Sequence, residues 1–127
     1  MKIKGIALKP AENVGGMRWS EDVLRDATET LEGVPVHTSF AGDATDQVGT
    51  VTEAEYVEGE GVQFVAEIDD PFVDSDQLIA PETSIGSITR EEDGVFSVGD
   101  IGFASLAYVN ETNEIVGDYE VIDDESE

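Results

Sequence analysis

Hydrophobic and polar positions change their period along this chain, and the changes mark its architecture. IKGIAL (3–8) predicts a strand, and KPAENVGG (9–16) a loop. In WSEDVLRDATETLEG (19–33) the apolar residues Val23, Leu24, Ala27 and Leu31 recur at helical spacing and make one face. Ser20 stands at the N-cap, Glu21 and Asp22 follow where the helix dipole favours anions, and Gly33 supplies the stop. The principal helix therefore runs over about residues 20–32. Trp19 and Leu24 have the spacing of a hydrophobic staple, which assigns Trp19 to packing.

From residue 34 onward the period is two. VPVHT (34–38) is a short strand and VGTVTEAEYV (48–57) a long one, while VQFVAEI (62–68) alternates with Val62, Phe64, Ala66 and Ile68 on one face. EGEG joins the last two as a hairpin. A second hairpin joins TSIGSITR (83–90) to VFSVG (95–99) through EEDG, and a third joins FASLAYV (103–109) to IVGDYEVI (115–122) through NETN. Between the first two lies the polar segment DDPFVDSDQLIAPE (69–82), with room for a short helical turn. The pattern of about seven or eight strands and one principal helix predicts a single β-rich α+β domain over residues 1–122. It is either a small barrel or a strongly curved antiparallel sheet, and DDESE forms an acidic tail expected to fray.

Charge changes this picture of an ordinary β-domain. The 127 residues carry 30 Asp and Glu against 6 Lys and Arg, a formal net charge of −24. Such a chain repels nucleic acid and anionic membranes, and in dilute buffer it repels itself. At about 1 M salt the Debye length shrinks to about 3 Å and most of that self-repulsion is gone. The acids are spread through normal hydrophobic periodicity, which is the pattern of a surface adapted to concentrated salt, as in a salt-loving archaeon or its virus. The N-terminal MKIKGIALKP lacks the apolar run and cleavage site of a signal peptide, so synthesis in the host cytoplasm is expected.

The chain has no cysteine, which excludes disulfides, thiolate catalysis and Cys-built zinc sites. His37 is its single histidine, read as a half-exposed strand residue unless it serves as a catalytic base. DDPFVDSD (69–76) gathers Asp69, Asp70, Asp74 and Asp76, an oxygen-rich set of the kind calcium or magnesium prefers. The glycine and terminal glutamate of an EF-hand loop are missing, and in a chain this acidic such clustering is close to expectation. NVGGM lacks the Lys-Ser/Thr of a phosphate-cradling loop, and no cofactor is expected.

Three segments, in order, resemble the prohead protease family of tailed viruses. TLEGVPV (30–36) is similar to its Leu-x-Gly-x-Pro-Val, VGTVTEAEYVEGEGVQFVAEIDD (48–70) to its Val-Gly-x-Val strand and hairpin, and TSIGSI (83–88) to its Ser-x-Gly segment. FASLAYV (103–109) is similar to the strand that follows. The resemblance spans roughly residues 1–110 and implies a fold like that of the herpesvirus capsid-maturation protease. It also implies a role in head assembly, with Ser84 as nucleophile, a histidine as base and backbone N–H groups near Gly86 as an oxyanion hole. The family's histidine position falls on Phe40, whereas His37 follows Val36 directly, and the carboxylate of the final strand is missing. A shift of three residues along an extended chain is roughly 10 Å and reverses the face. The expectation is a virion structural protein that binds coat protein, other capsid proteins or itself without catalysis. Its alternatives are an active serine endopeptidase using Ser84 and His37, and a host β-domain without a viral role; without catalysis Ser84 and Ser87 are ordinary strand serines, with Gly86 there for close backbone approach.

Overall fold

The computed structural model describes residues 2–14, 16–38, 47–69, 78–109 and 119–123. Its strands are β1 (Lys2–Leu8), β2 (Ala11–Val14), β3 (Met17–Trp19), β4 (Pro35–His37) and β5 (Gln47–Val57). They continue as β6 (Gly61–Ile68), β7 (Leu78–Arg90), β8 (Phe96–Val109) and β9 (Tyr119–Asp123), with α1 (Glu21–Thr28) between β3 and β4. The fold is α+β and β-rich, as the periodicity predicts. Its single sheet runs β2-β3-β8-β4-β5-β6-β1-β9, with β7 on the other edge of β8. The sheet curves until β1 approaches β7, and it does not close into a barrel.

The helix starts for the reason visible in the chain but stops at Thr28, before the glycine expected to end it. Ser20 Oγ accepts a 3.4 Å bond from Val23 N–H, and Gly33 takes φ +88°, a left-handed conformation costly for any residue with a Cβ. The regular helix ends at Thr28, and turns carry the chain to Gly33, whose N–H donates to the Val51 carbonyl at 2.9 Å. Leu24, Ala27 and Leu31 face the interior among Ile3, Val36, Val51, Val62, Phe64, Leu106 and Tyr108. Trp19 is a packing residue, 8 % exposed, with its indole N–H donating to the Lys9 carbonyl at 2.8 Å.

Several connections depart from the local pattern. Residues 11–14 form a short strand where a loop is predicted, and 17–19 form its partner, because β3 gains a parallel neighbour in β8 through Met17–Phe96 and Arg18–Ser97. Strand β4 also pairs in parallel with β8, at Val36–Leu106 and His37–Ala107, so the sheet is mixed. Between those pairings Thr30 Oγ1 accepts the Phe103 N–H at 2.9 Å, satisfying the exposed edge of β8 where no strand reaches it. VFSVG and FASLAYV are parts of one long strand, since bulges at Gly99 and Ala104 absorb the irregularity between them. Strand β9 pairs with β1 rather than forming the predicted third hairpin with β8. The predicted helical turn after Asp69, the NETN loop and the last four residues of the acidic tail lie outside the described residues.

Candidate functional site

Strand β8 is the ruler on which both proposed catalytic side chains are placed. Ser84 pairs with Gly102 from β7 on one edge, and His37 pairs with Ala107 from β4 on the other. Gly102 and Ala107 are five positions apart, which is about 16 Å of strand, and two strand spacings add about 10 Å across. The two residues therefore sit more than about 15 Å apart at their Cα atoms, against the roughly 3 Å that proton transfer from serine to imidazole requires. The fold does not bring Ser84 and His37 together. The family's histidine position, Phe40, lies outside the described residues.

Ser84 is exposed on β7, beside Gly102 and away from His37. Ser84 Oγ and Thr30 Oγ1 flank the bare Cα of Gly102, 3.7 and 4.0 Å from where a Cβ would stand. The Thr30 hydroxyl is already engaged, donating to the Ala27 carbonyl at 2.6 Å and accepting from Phe103 N–H. Gly86, expected beside an oxyanion hole, has its open side filled by the Asp100 carboxylate, whose Cγ lies 2.9 Å from the position of a Cβ. A carboxylate at that point opposes the negative charge that an oxyanion hole exists to stabilise. The glycine is needed for the approach of a side chain, not of another backbone.

His37 corrects the expectation of a half-exposed strand residue: it is 7 % exposed, and among the described residues its Nδ1 has no hydrogen-bond partner. The reason is that this stretch of sheet is covered on both faces. Val36 and Leu106 face the main core, while the adjacent row of His37, Ala107 and Ala80 faces the other way and is also buried. On the same outer side Ser105, 3 % exposed, donates its hydroxyl to Glu82 Oε1 at 2.5 Å. This serine and carboxylate pair is absent from the candidates that sequence patterns single out. The only local signal for it is the shared position in adjacent strands, which needs the register of β7 on β8.

Asp69 is exposed, its backbone N–H donating to the Val48 carbonyl at 2.7 Å, whereas Asp70, Asp74 and Asp76 lie outside the described residues. Among the described residues no group of three or more histidine or acidic side chains is placed to hold a metal. Nor is any helix among them long and apolar enough to cross a membrane.

Two electrostatic contacts fix the rim of the sheet. At the β7–β8 turn Arg18 Nη2 meets Asp93 Oδ2 at 2.8 Å, and this bond holds the Asp93 carboxyl below its ordinary range, with the Val95 N–H adding to the effect. On the helix side Tyr56 donates to Glu21 Oε1 at 3.0 Å beneath the Arg25 guanidinium, 5.0 Å above its ring. Burial, followed by that bond to Glu21, pushes the Tyr56 phenol up to about 12. Both contacts hold elements in place; neither presents a reactive group to a cleft.

No protein family matches the chain, and no curated protein matches it.

Proposed function

We propose that this chain is a non-catalytic structural protein of a tailed-virus head, built on a prohead-protease-like fold and binding coat protein or further copies of itself. The observation that carries the reading is the separation of Ser84 from His37 on opposite edges of β8, five register positions apart. A serine without a base loses some hundred- to ten-thousandfold in rate, while the fold around it loses nothing. The Asp100 carboxylate over Gly86 supports the same reading.

The segments that resemble prohead proteases have mechanical duties here that outlast catalysis. Gly33 of TLEGVPV turns the chain out of α1 and bonds to Val51. Gly49 of VGTV lets β6 close on β5, because a Cβ there would fall against the Glu67 carbonyl oxygen and 2.8 Å from Ile68 Cδ1. The −24 charge suits docking in concentrated salt, where screening leaves shape and apolar contact to hold an interface.

Quantitative mass spectrometry of purified mature particles tests the proposal. Many copies per particle are expected, together with coat protein processed to the same extent when Ser84→Ala is introduced. Absence of the chain from the particle would overturn the structural role, and coat protein left uncut by Ser84→Ala would restore the endopeptidase.

A further inference from the structure

The β7–β8 hairpin carries an apolar strip that the core does not use. Among the described residues β7 hydrogen-bonds as a strand only to β8, and its stretch Thr83–Arg90 is exposed throughout. Open edges in native sheets are usually blunted by charge or proline. Here the eight residues between Glu82 and Glu91 include no acid and no proline, in a chain with 30 acids.

The bulges give this edge a definite face. Ile85 lies opposite Ile101 and Ile88 opposite Val98, and both of those β8 residues belong to the core side of the sheet. Two strand residues three apart would normally point to opposite faces. The extra residue at Gly86 reverses that parity and puts Ile85 and Ile88 on one side, 44 and 48 % exposed. Phe96, 38 % exposed, is two positions before Val98 and extends the strip, with Arg90 6.0 Å above its ring.

We infer that this strip is a self-association surface, on which a second copy of the chain pairs its own β7 antiparallel to the first about a two-fold axis between Gly86 and Ser87. The inference rests on the non-catalytic head-protein reading and names the surface by which such a protein meets its own kind. Charge leaves this edge open to a second copy in concentrated salt: two chains of −24 repel over most approaches, whereas Thr83–Arg90 carries no acid, and acids meet at its ends and at the Asp100 carboxylate beside Gly86. The order of residues is self-complementary as well. About that axis Ile85 of each copy faces Ile88 of the other, Ser84 faces Thr89, and Thr83 faces Arg90, so four isoleucines form one patch. Glu82 and Glu91 of the other copy meet at both ends, so concentrated salt strengthens the pairing where it would weaken one held by ion pairs. The paired edges form an interface at the small end of the range for specific complexes, suited to the high local concentration inside a shell.

Sedimentation equilibrium of the full chain at about 0.5 M and about 3 M KCl tests this. A monomer–dimer equilibrium that tightens with salt is expected. Ile88→Lys or Ile85→Lys should weaken it by about tenfold or more while circular dichroism stays unchanged, because both positions are exposed. Since the chain has no cysteine, mild oxidation of mixed Ile85→Cys and Ile88→Cys chains should give the mixed disulfide in preference to either self-link. A monomer at every salt concentration, a dimer indifferent to both lysine variants, or pairing of this edge with coat protein alone would overturn the inference. Copy number in the particle is read independently: abundant but monomeric chains refute the self-pairing and leave the head role standing, whereas a salt-tightened dimer absent from particles does the reverse.

Discussion

Replacing His37 by leucine distinguishes a structural histidine from a catalytic one with a single pair of measurements. The imidazole is 7 % exposed and its Nδ1 has no hydrogen-bond partner among the described residues. A buried polar atom left unpaired costs about 1–3 kcal/mol, and a swap to an apolar side chain of similar size costs less than about 1.5 kcal/mol in packing. The difference centres on a gain of about 1 kcal/mol for His37→Leu, which raises the thermal midpoint of a domain this size by about 4 °C. Thermal and urea denaturation at fixed high salt measure the first quantity, and coat-protein cleavage in infected cells measures the second. A loss of more than about 2 kcal/mol would refute the reasoning, since it would mean that the imidazole is paired in the folded protein. Unchanged stability with loss of coat cleavage would make His37 the base after all.

Gly49→Ala should destabilise the fold by about 1–3 kcal/mol in urea denaturation, because the new methyl group meets the Glu67 backbone and Ile68, and a neutral result would refute that close approach. Tyr56 has a folded pKa raised from 10.0 to about 12, so its contribution is whole below about pH 10 and is lost as pH rises towards 12. Titration at 295 nm should show a late phenolate step that Tyr56→Phe removes, and the variant's stability should fall less over that window. Net charge predicts a thermal midpoint that rises steadily from dilute buffer to molar KCl and then flattens, and a midpoint indifferent to salt would refute the account of the acidic surface.

Local chemistry made part of this fold readable. The cap at Ser20 and the alternation of Val62, Phe64, Ala66 and Ile68 act within a few residues of themselves and are found where their patterns place them, whereas the helix ends at Thr28, short of the stop expected at Gly33. What local pattern does not carry is pairing across long separations. Residues 9–16 contain charge and glycines, so they read as loop, yet β2 pairs with β3, which is held by residues nearly eighty positions later. GDIG at 99–102 reads as a break, but bulges on both strands keep β7 and β8 in register through it. The burial of His37 was hidden for a related reason. Alternation assumes one wet face, and this stretch of sheet has none, as Ala80, Ser105 and Ala107 also show. The distance between Ser84 and His37 likewise became measurable only once both were registered on β8.

Strand β8 is the common partner of β3, β4 and β7, and β9 completes the edge of β1. On a ribosome, β3, β4 and β7 emerge before their common neighbour, and β1 waits longer still for its second partner. The strands β4, β5, β6 and β1 can pair among themselves once residue 68 is made, but β3 and the β8 side of β4 have no native partner until synthesis has passed residue 109. Folding of such a topology is governed by long loop closures and is slow relative to helical domains of equal size. The acidic surface then has a second use, because unfinished chains carrying strong like charge keep one another apart during that interval.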